Sequence, residues 1–408
     1  MRTAEAPRAA LLSAFAAYLA FIAYQSLAGA APGACVVPLV QQGSHLSRSD
    51  GLANLVAYVP LGLMAAAWAA RLRARAWVLA AAFASIAGFS LAMETLQACL
   101  PGRVSSWYDW STNSAGGLLG LMALPVATRL LRLARARPAL AAAVDAPLWW
   151  PVALCVGAWM ALSLAPWRFT LDVGTIRGNL SFLRHLVDGV PLDPWRLARH
   201  LLGWAAIGVA LRALPDDVST ALRGLALLAV AATLGQVLLD VPALSFEELA
   251  GMALALPVSA LVCSLASGTW LTRLPAALAL LSVLAYQLAP QGGEPLARGV
   301  SWWPQVGRGG LLAALELALY FGWLGAMLTL SLRWSALRGE DTGRRRIAWP
   351  AAAAVILMLT EFAQGWIPGR TPDTSAPLLT VLAFGVAWAL TGSPVRDRVP
   401  TRSRRPAS

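Results

Sequence analysis

Long apolar runs alternate with short polar connections along the whole chain. Twelve runs can be read, at about 9–29, 52–70, 77–99, 111–130, 148–166, 198–214, 222–239, 248–267, 272–290, 310–332, 348–366 and 375–392. A helix needs ~20 mostly apolar residues to cross the hydrocarbon of a bilayer, so each run approximates one crossing. The pattern therefore predicts an all-α polytopic membrane protein of about 12 transmembrane helices. Glycines interrupt 198–214 and 222–239, so ten or eleven crossings also fit.

Composition removes the soluble alternatives. Of 408 residues, 58% are hydrophobic and 13% charged, with a mean hydropathy of +0.63; a soluble domain carries about 25% charged residues. The net charge of +12 is carried by arginine, since the chain has no lysine. In a soluble protein such a balance suggests nucleic acid, but here the arginines fall in connections between apolar runs. With both termini cytoplasmic, 22 of the 32 arginines lie on the cytoplasmic side, as the positive-inside rule requires. This leaves no reason for a nucleic-acid partner and puts the turn near residue 100 on the outer face. The start resembles a signal peptide, with Arg2 and Arg8 before an apolar run, but that run is long for one and more follow, so it reads as an uncleaved first helix.

The four cysteines, Cys35, Cys99, Cys155 and Cys263, form no CxxC, and three of them lie in apolar runs where buried thiols are ordinary. The expectation is no disulfide framework, no metal centre and no cofactor. His45, His185 and His200 are scattered, and no P-loop, dinucleotide fingerprint or HExxH occurs.

The most informative stretch runs from Glu94 to Gly117. It leaves one apolar run, breaks at Pro101-Gly102 and enters the next, gathering Glu94, Gln97, Arg103, Asp109 and Asn113 at a membrane boundary. An ionised group at bilayer depth costs ~3 kcal/mol on insertion scales, so such groups face protein or an aqueous cavity and mark candidate sites. Glu94 and Gln97 share a helix face. Arg103 can pair with Glu94 or Asp109, or offer its fork to a phosphate or carboxylate. Asp109 is placed to cap the following helix, and Asn113 to reach Glu94 or Gln97. Asn54, Pro60 and Gly62 would form the opposing wall, with Gly116 and Gly117 allowing close helix approach. A structural reading stands beside this one: an ion pair, a cap and packing glycines.

Glu94-x-x-Gln97-x-x-x-Pro101-Gly102-Arg103 recurs with the same spacing as Glu361, Gln364, Pro368, Gly369 and Arg370, with Asp373 as a nearer counterpart of Asp109. A degenerate third copy is read around His200 to Gly208 and Gln236 to Glu248, without the arginine. The chain is accordingly divided into three four-helix units, 1–140, 145–270 and 271–395, followed by a disordered basic tail at 396–408. The connection at 167–197 has an amphipathic middle, with Leu180, Leu183 and Val187 at helical spacing, that fits an interfacial helix.

Taken together, Asn54, Pro60-x-Gly62, Glu94-x-x-Gln97, Pro101-x-Arg103, Asp109 and Asn113-x-x-Gly116 resemble the VanZ-like family, named for a membrane protein associated with teicoplanin resistance. The resemblance covers about 10–130 well, 310–392 partially and the middle faintly. It implies a bacterial inner-membrane envelope protein with possible effects on glycopeptide susceptibility. The candidate ligand-binding residues are Asn54, Glu94, Gln97, Arg103, Asp109, Asn113, Glu361, Gln364, Arg370 and Asp373. The partners expected are membrane lipids or a lipid-linked cell-wall precursor. Three functions stay open: binding such a head group at an outward pocket, a transferase or hydrolase acting on it, and transport.

Overall fold

The computed structural model describes residues 8–27, 33–37, 39, 48–71, 76–101, 103–136, 141, 143–182, 191–214, 217–240, 244–292, 299–306 and 311–391. The tail at 396–408, most of the connection at 30–51, and Leu183, His185 and Val187 of the expected interfacial helix lie outside them. Among the described residues thirteen helices follow one another: α1 (Arg8–Leu27), α2 (Arg48–Arg71), α3 (Ala76–Gln97), α4 (Trp107–Arg135), α5 (Trp149–Ser163), α6 (Val173–Asn179), α7 (Pro194–Leu211), α8 (Val218–Val237), α9 (Phe246–Leu265), α10 (Gly268–Leu288), α11 (Leu311–Leu337), α12 (Arg345–Gln364) and α13 (Ser375–Leu390). The described residues contain two isolated β-bridges and no strand.

Among the described residues, eight helices are long and apolar enough to cross a membrane: α2, α3, α4, α8, α9, α10, α11 and α12. Three shorter apolar helices, Leu11–Leu27 within α1, α5 and α13, fall below that length. Helix α4 shows why the surround is lipid. Leu118, Leu119, Met122, Val126, Leu130 and Leu133 are each at least 44% exposed along a 29-residue helix. Such a band is untenable in water but ordinary against hydrocarbon. The chain is a helical membrane protein.

Local sequence sets the helix starts. Asp193 caps α7, accepting from Trp195 N (2.9 Å) and Arg196 N (3.2 Å), with Pro194 at the first helical position where its missing N–H costs nothing. Helix α7 thus begins four residues before its apolar run, which lifts Arg196 out of the expected loop and onto its first turn. Ser245 caps α9 and Ser106 caps α4. Asp109 is therefore not the cap of α4 as expected: it sits inside the first turn and donates its own N–H to Ser106 Oγ at 3.0 Å.

Packing produces two apolar cores. The first joins α1, α2 and α3 around Ile22, Ala57, Tyr58, Leu61 and Ile86, and touches α11 through Leu315. Helices α2 and α4 meet backbone to backbone: a Cβ on Gly62 would stand 2.0 Å from Gly117 O, and one on Gly120 2.0 Å from Val59 O. Only glycine permits that approach. The second core runs from α5 to α13 and centres on Trp159, whose ring lies 6.0 Å from Trp204 and 4.5 Å from Trp323. Helices α7 and α9, α7 and α10, and α11 and α13 pack most extensively within it.

Candidate functional site

The polar groups of the first four helices gather where α3 ends and α4 begins. Glu94 is 3% exposed, and its Oε2 accepts the Ser106 N–H at 2.9 Å. In a capping box that N–H binds a carboxylate on the cap's own helix; here α3 supplies it across the turn. Asp109 is left to accept from Asn54 Nδ2 of α2 at 2.8 Å. Gln97 Nε2 donates to Ser26 O at 3.1 Å and Arg103 Nη2 to Gln25 O at 3.2 Å, so both clasp the end of α1. A helix C-terminus presents carbonyls without intrahelical partners, which suits it to such donors. Asn113 is 5% exposed and donates to Ser90 Oγ at 3.0 Å, one turn short of Glu94.

The segment after α1 is fastened onto the same turn. Gly33 N donates to Cys99 O and Val36 N to Ala98 O, each at 2.9 Å, and Cys35 is disulfide-bonded to Cys99. This corrects the expectation of four unpaired cysteines: the run containing Cys99 ends in a turn that brings the thiol to Cys35. Cys155 and Cys263 are free and buried.

Helices α10, α12 and α13 repeat the arrangement. Glu361 is 5% exposed and accepts the Asp373 N–H at 3.1 Å and Gln287 Nε2 at 2.9 Å. Arg370 donates to Ala289 O at 2.9 Å and to Tyr286 O, clasping the end of α10 as Arg103 clasps α1. Glu94 to Ser106 and Glu361 to Asp373 span the same 12 residues. Asp373 therefore stands where Ser106 does, and not where Asp109 does as its acidic character suggested. It fastens its own connection, accepting from Gln305 N at 3.2 Å, while Ser301 N donates to Pro372 O at 3.0 Å. Gln364 is buried one turn beyond Glu361.

Between these two sets, α5, α7, α8 and α9 bring together residues that sequence reading left scattered. Gln236 Nε2 donates to Glu248 Oε1 and to Ser163 O, both at 2.7 Å. His200 Nδ1 lies 3.5 Å from Glu248 Oε1. The missing turn arginine is replaced in part by Arg168, which pairs with Asp240, as Thr170 N donates to Leu238 O at 2.7 Å. Here the bundle opens into a cavity of about 530 Å3, lined by Arg196, Arg199, His200, Gln236, Glu248 and, from the far side, Glu316 and Arg370. Of the ten sequence candidates only Arg370 lines it. Arg196 was missed because the apolar-run criterion started its helix at 198, and the Asp193-Pro194 cap was the available signal; Arg199 and His200 lay inside that run, but nothing local shows which other helices they meet.

Among the described residues, no group of three His, Cys, Asp or Glu side chains could hold a metal ion. A family model described as VanZ/LLP1 matches residues 10–128, so this segment, α1 to most of α4, is VanZ-like. No curated protein and no solved structure matches the chain.

Proposed function

We propose that the protein is a multi-pass envelope protein of the bacterial inner membrane that binds a lipid or lipid-linked cell-wall head group at its outer face, without catalysis. The observation that carries this reading is the buried carboxylate Glu94. It is 3% exposed at the end of a membrane helix, tied to the start of α4 and flanked by Asp109 and Asn54. Ionisable groups at membrane depth are retained chiefly for function. Three four-helix units, twelve crossings and two cytoplasmic termini complete the proposal. Its supports are the arginine distribution and the recurrence of one arrangement, in which a connection lies on the turn between third and fourth helices.

The Cys35–Cys99 disulfide supports an outward-facing turn, because disulfides persist in oxidising compartments and not in the bacterial cytosol. Transport would call for discontinuous helices meeting at mid-bilayer, whereas α2, α3, α4 and α8 to α12 run unbroken. An acid–base reaction would need a nucleophile beside Glu94 or Asp109, and their recorded partners are backbone N–H groups, Ser106 and Asn54. The test is complementation of a deletion strain with wild type, Glu94→Gln or Arg103→Ala at matched membrane levels, scoring glycopeptide susceptibility and lipid profile. The proposal expects both variants to insert and fail to complement. Full complementation by both would reduce the Glu94 network to a structural joint.

A further inference from the structure

The cavity of about 530 Å3 lies outside the VanZ-like segment, between α5, α7, α8 and α9 on one side and α10, α11 and the turn after α12 on the other. Its cations are arranged unusually. Arg199 stands between two rings, with Cζ 4.7 Å from the centroid of Tyr286 and 4.8 Å from that of Tyr320. Arg370 lies against the same Tyr286 at 5.1 Å. Two guanidinium groups thus flank one aromatic ring, and among the described residues neither forms an ion pair with a carboxylate. Like charges held close in a partly dry site repel, and an anion bound between them removes that repulsion. Arg199 Nε is buried and has no hydrogen-bond partner within the protein.

The same cavity also presents acceptors beside these cations. Gln236 is 1% exposed, and both recorded partners of its Nε2, Glu248 Oε1 and Ser163 O, can only accept. This fixes the orientation of the amide and leaves Oε1, buried and without a partner, as an acceptor. Glu248 and Glu316 add carboxylate acceptors. A bare anion satisfies only the arginines, and a neutral polyol only the acceptors. A phosphate ester carrying hydroxyl groups satisfies both.

We infer that this cavity binds a phosphate-bearing polyol or sugar head group, with Arg199 and Arg370 clamping the phosphate and Gln236 and Glu248 accepting hydroxyls. The inference rests on the head-group reading above and names its site and chemistry. It places recognition outside the family-like helices, in a cavity that only Arg370 of the ten sequence candidates lines.

The test uses the full chain in detergent, with native mass spectrometry after incubation with phosphatidylglycerol, phosphatidylcholine, glycerol 3-phosphate or inorganic phosphate. Wild type is expected to retain phosphatidylglycerol over phosphatidylcholine. Arg199→Gln and Arg370→Gln are each expected to cut that retention roughly tenfold, as for loss of one charged hydrogen-bond partner. The exposed Arg338→Gln, at the far end of α11, should leave it unchanged. Arg199→Lys keeps the charge, and partial retention is expected. If Arg199→Gln does not fold, Arg370→Gln reads the same clamp. Equal binding of glycerol 3-phosphate upholds the clamp and assigns a soluble source. Binding of inorganic phosphate as tight as either glycerol ester overturns the hydroxyl wall, and undiminished retention in both glutamine variants overturns the clamp. Because Glu94 and Arg103 lie outside this cavity, failure of the complementation experiment and failure here are separate outcomes.

Discussion

Glu94 and Asp109 are both acidic and lie close together, yet their burial assigns them different work. Glu94 closes the α3–α4 joint through the Ser106 N–H, while Asp109 holds Asn54 of α2. Glu94→Ala leaves that N–H without its partner, and stability should fall by about 1–3 kcal/mol, read as a lower unfolding temperature of the detergent-solubilised protein. Glu94→Gln keeps an acceptor at the same atom and should stay within about 1 kcal/mol of wild type. Equal losses in the two variants would mean that charge, and not acceptance, matters at this position. The same reasoning separates Asp109 from Asp373. Both were read from sequence as one motif position, but Asp373 occupies the place of Ser106, because register is set by the start of the helix and not by side-chain charge.

At the scale of elements, the glycines of α2 and α4 make the sharpest statement. A Cβ on Gly62 meets backbone 2.0 Å away, whereas one on Gly88 of α3 meets nothing within 4 Å. Gly62→Ala should therefore force α2 from α4 and cost at least the ~1–3 kcal/mol of ordinary overpacking, with loss of the monodisperse peak in size-exclusion chromatography. Gly88→Ala should be neutral or slightly stabilising, since alanine is the better helix former. The connection after α1 carries its own test. Labelling the denatured protein with a maleimide polymer should add two adducts, at Cys155 and Cys263, and four after reduction. Closing a loop between cysteines 64 residues apart is worth ~4 kcal/mol by chain entropy, so reductant should also lower the unfolding temperature.

These elements also mark how far the sequence could be read. Membrane helices were legible because apolar length alone decides them, and Glu94, Gln97 and Arg103 because polar residues at a membrane boundary stand out. The Cys35–Cys99 bond was not legible, since nothing in the spacing says that the connection folds back onto the α3–α4 turn. Arg196 was hidden by an apolar criterion that ignored the Asp193-Pro194 cap, and Arg199 because its partners come from helices far along the chain.

The whole molecule divides unevenly. Sequence repetition suggested one complete, one degenerate and one partial unit; α7 packs on α10 about as extensively as on α9, and one core runs from α5 to α13. Long-range packing of this kind leaves no local trace, which is why the cavity between α7 and α10 was not visible beforehand. Trp323 is fully buried against Trp159 in the shared core, so Trp323→Ala should cost about 3–5 kcal/mol, read as thermal aggregation at lower temperature. The VanZ-like segment touches that core at few places, through α1 with α13 and α2 with α11.

Head-group binding at the Glu94 network or at the arginine cavity requires the polar end of the bundle to face outward. The direct measurement is labelling of intact cells with a membrane-impermeant maleimide, using single replacements Leu171→Cys and Arg338→Cys. Leu171 is 85% exposed beside α6 at the polar end, and Arg338 is exposed after α11 at the opposite end. The account predicts that Leu171→Cys is labelled in intact cells and Arg338→Cys only after permeabilisation. The reverse pattern would put the Glu94 network and the arginine cavity in the cytoplasm and contradict the head-group reading.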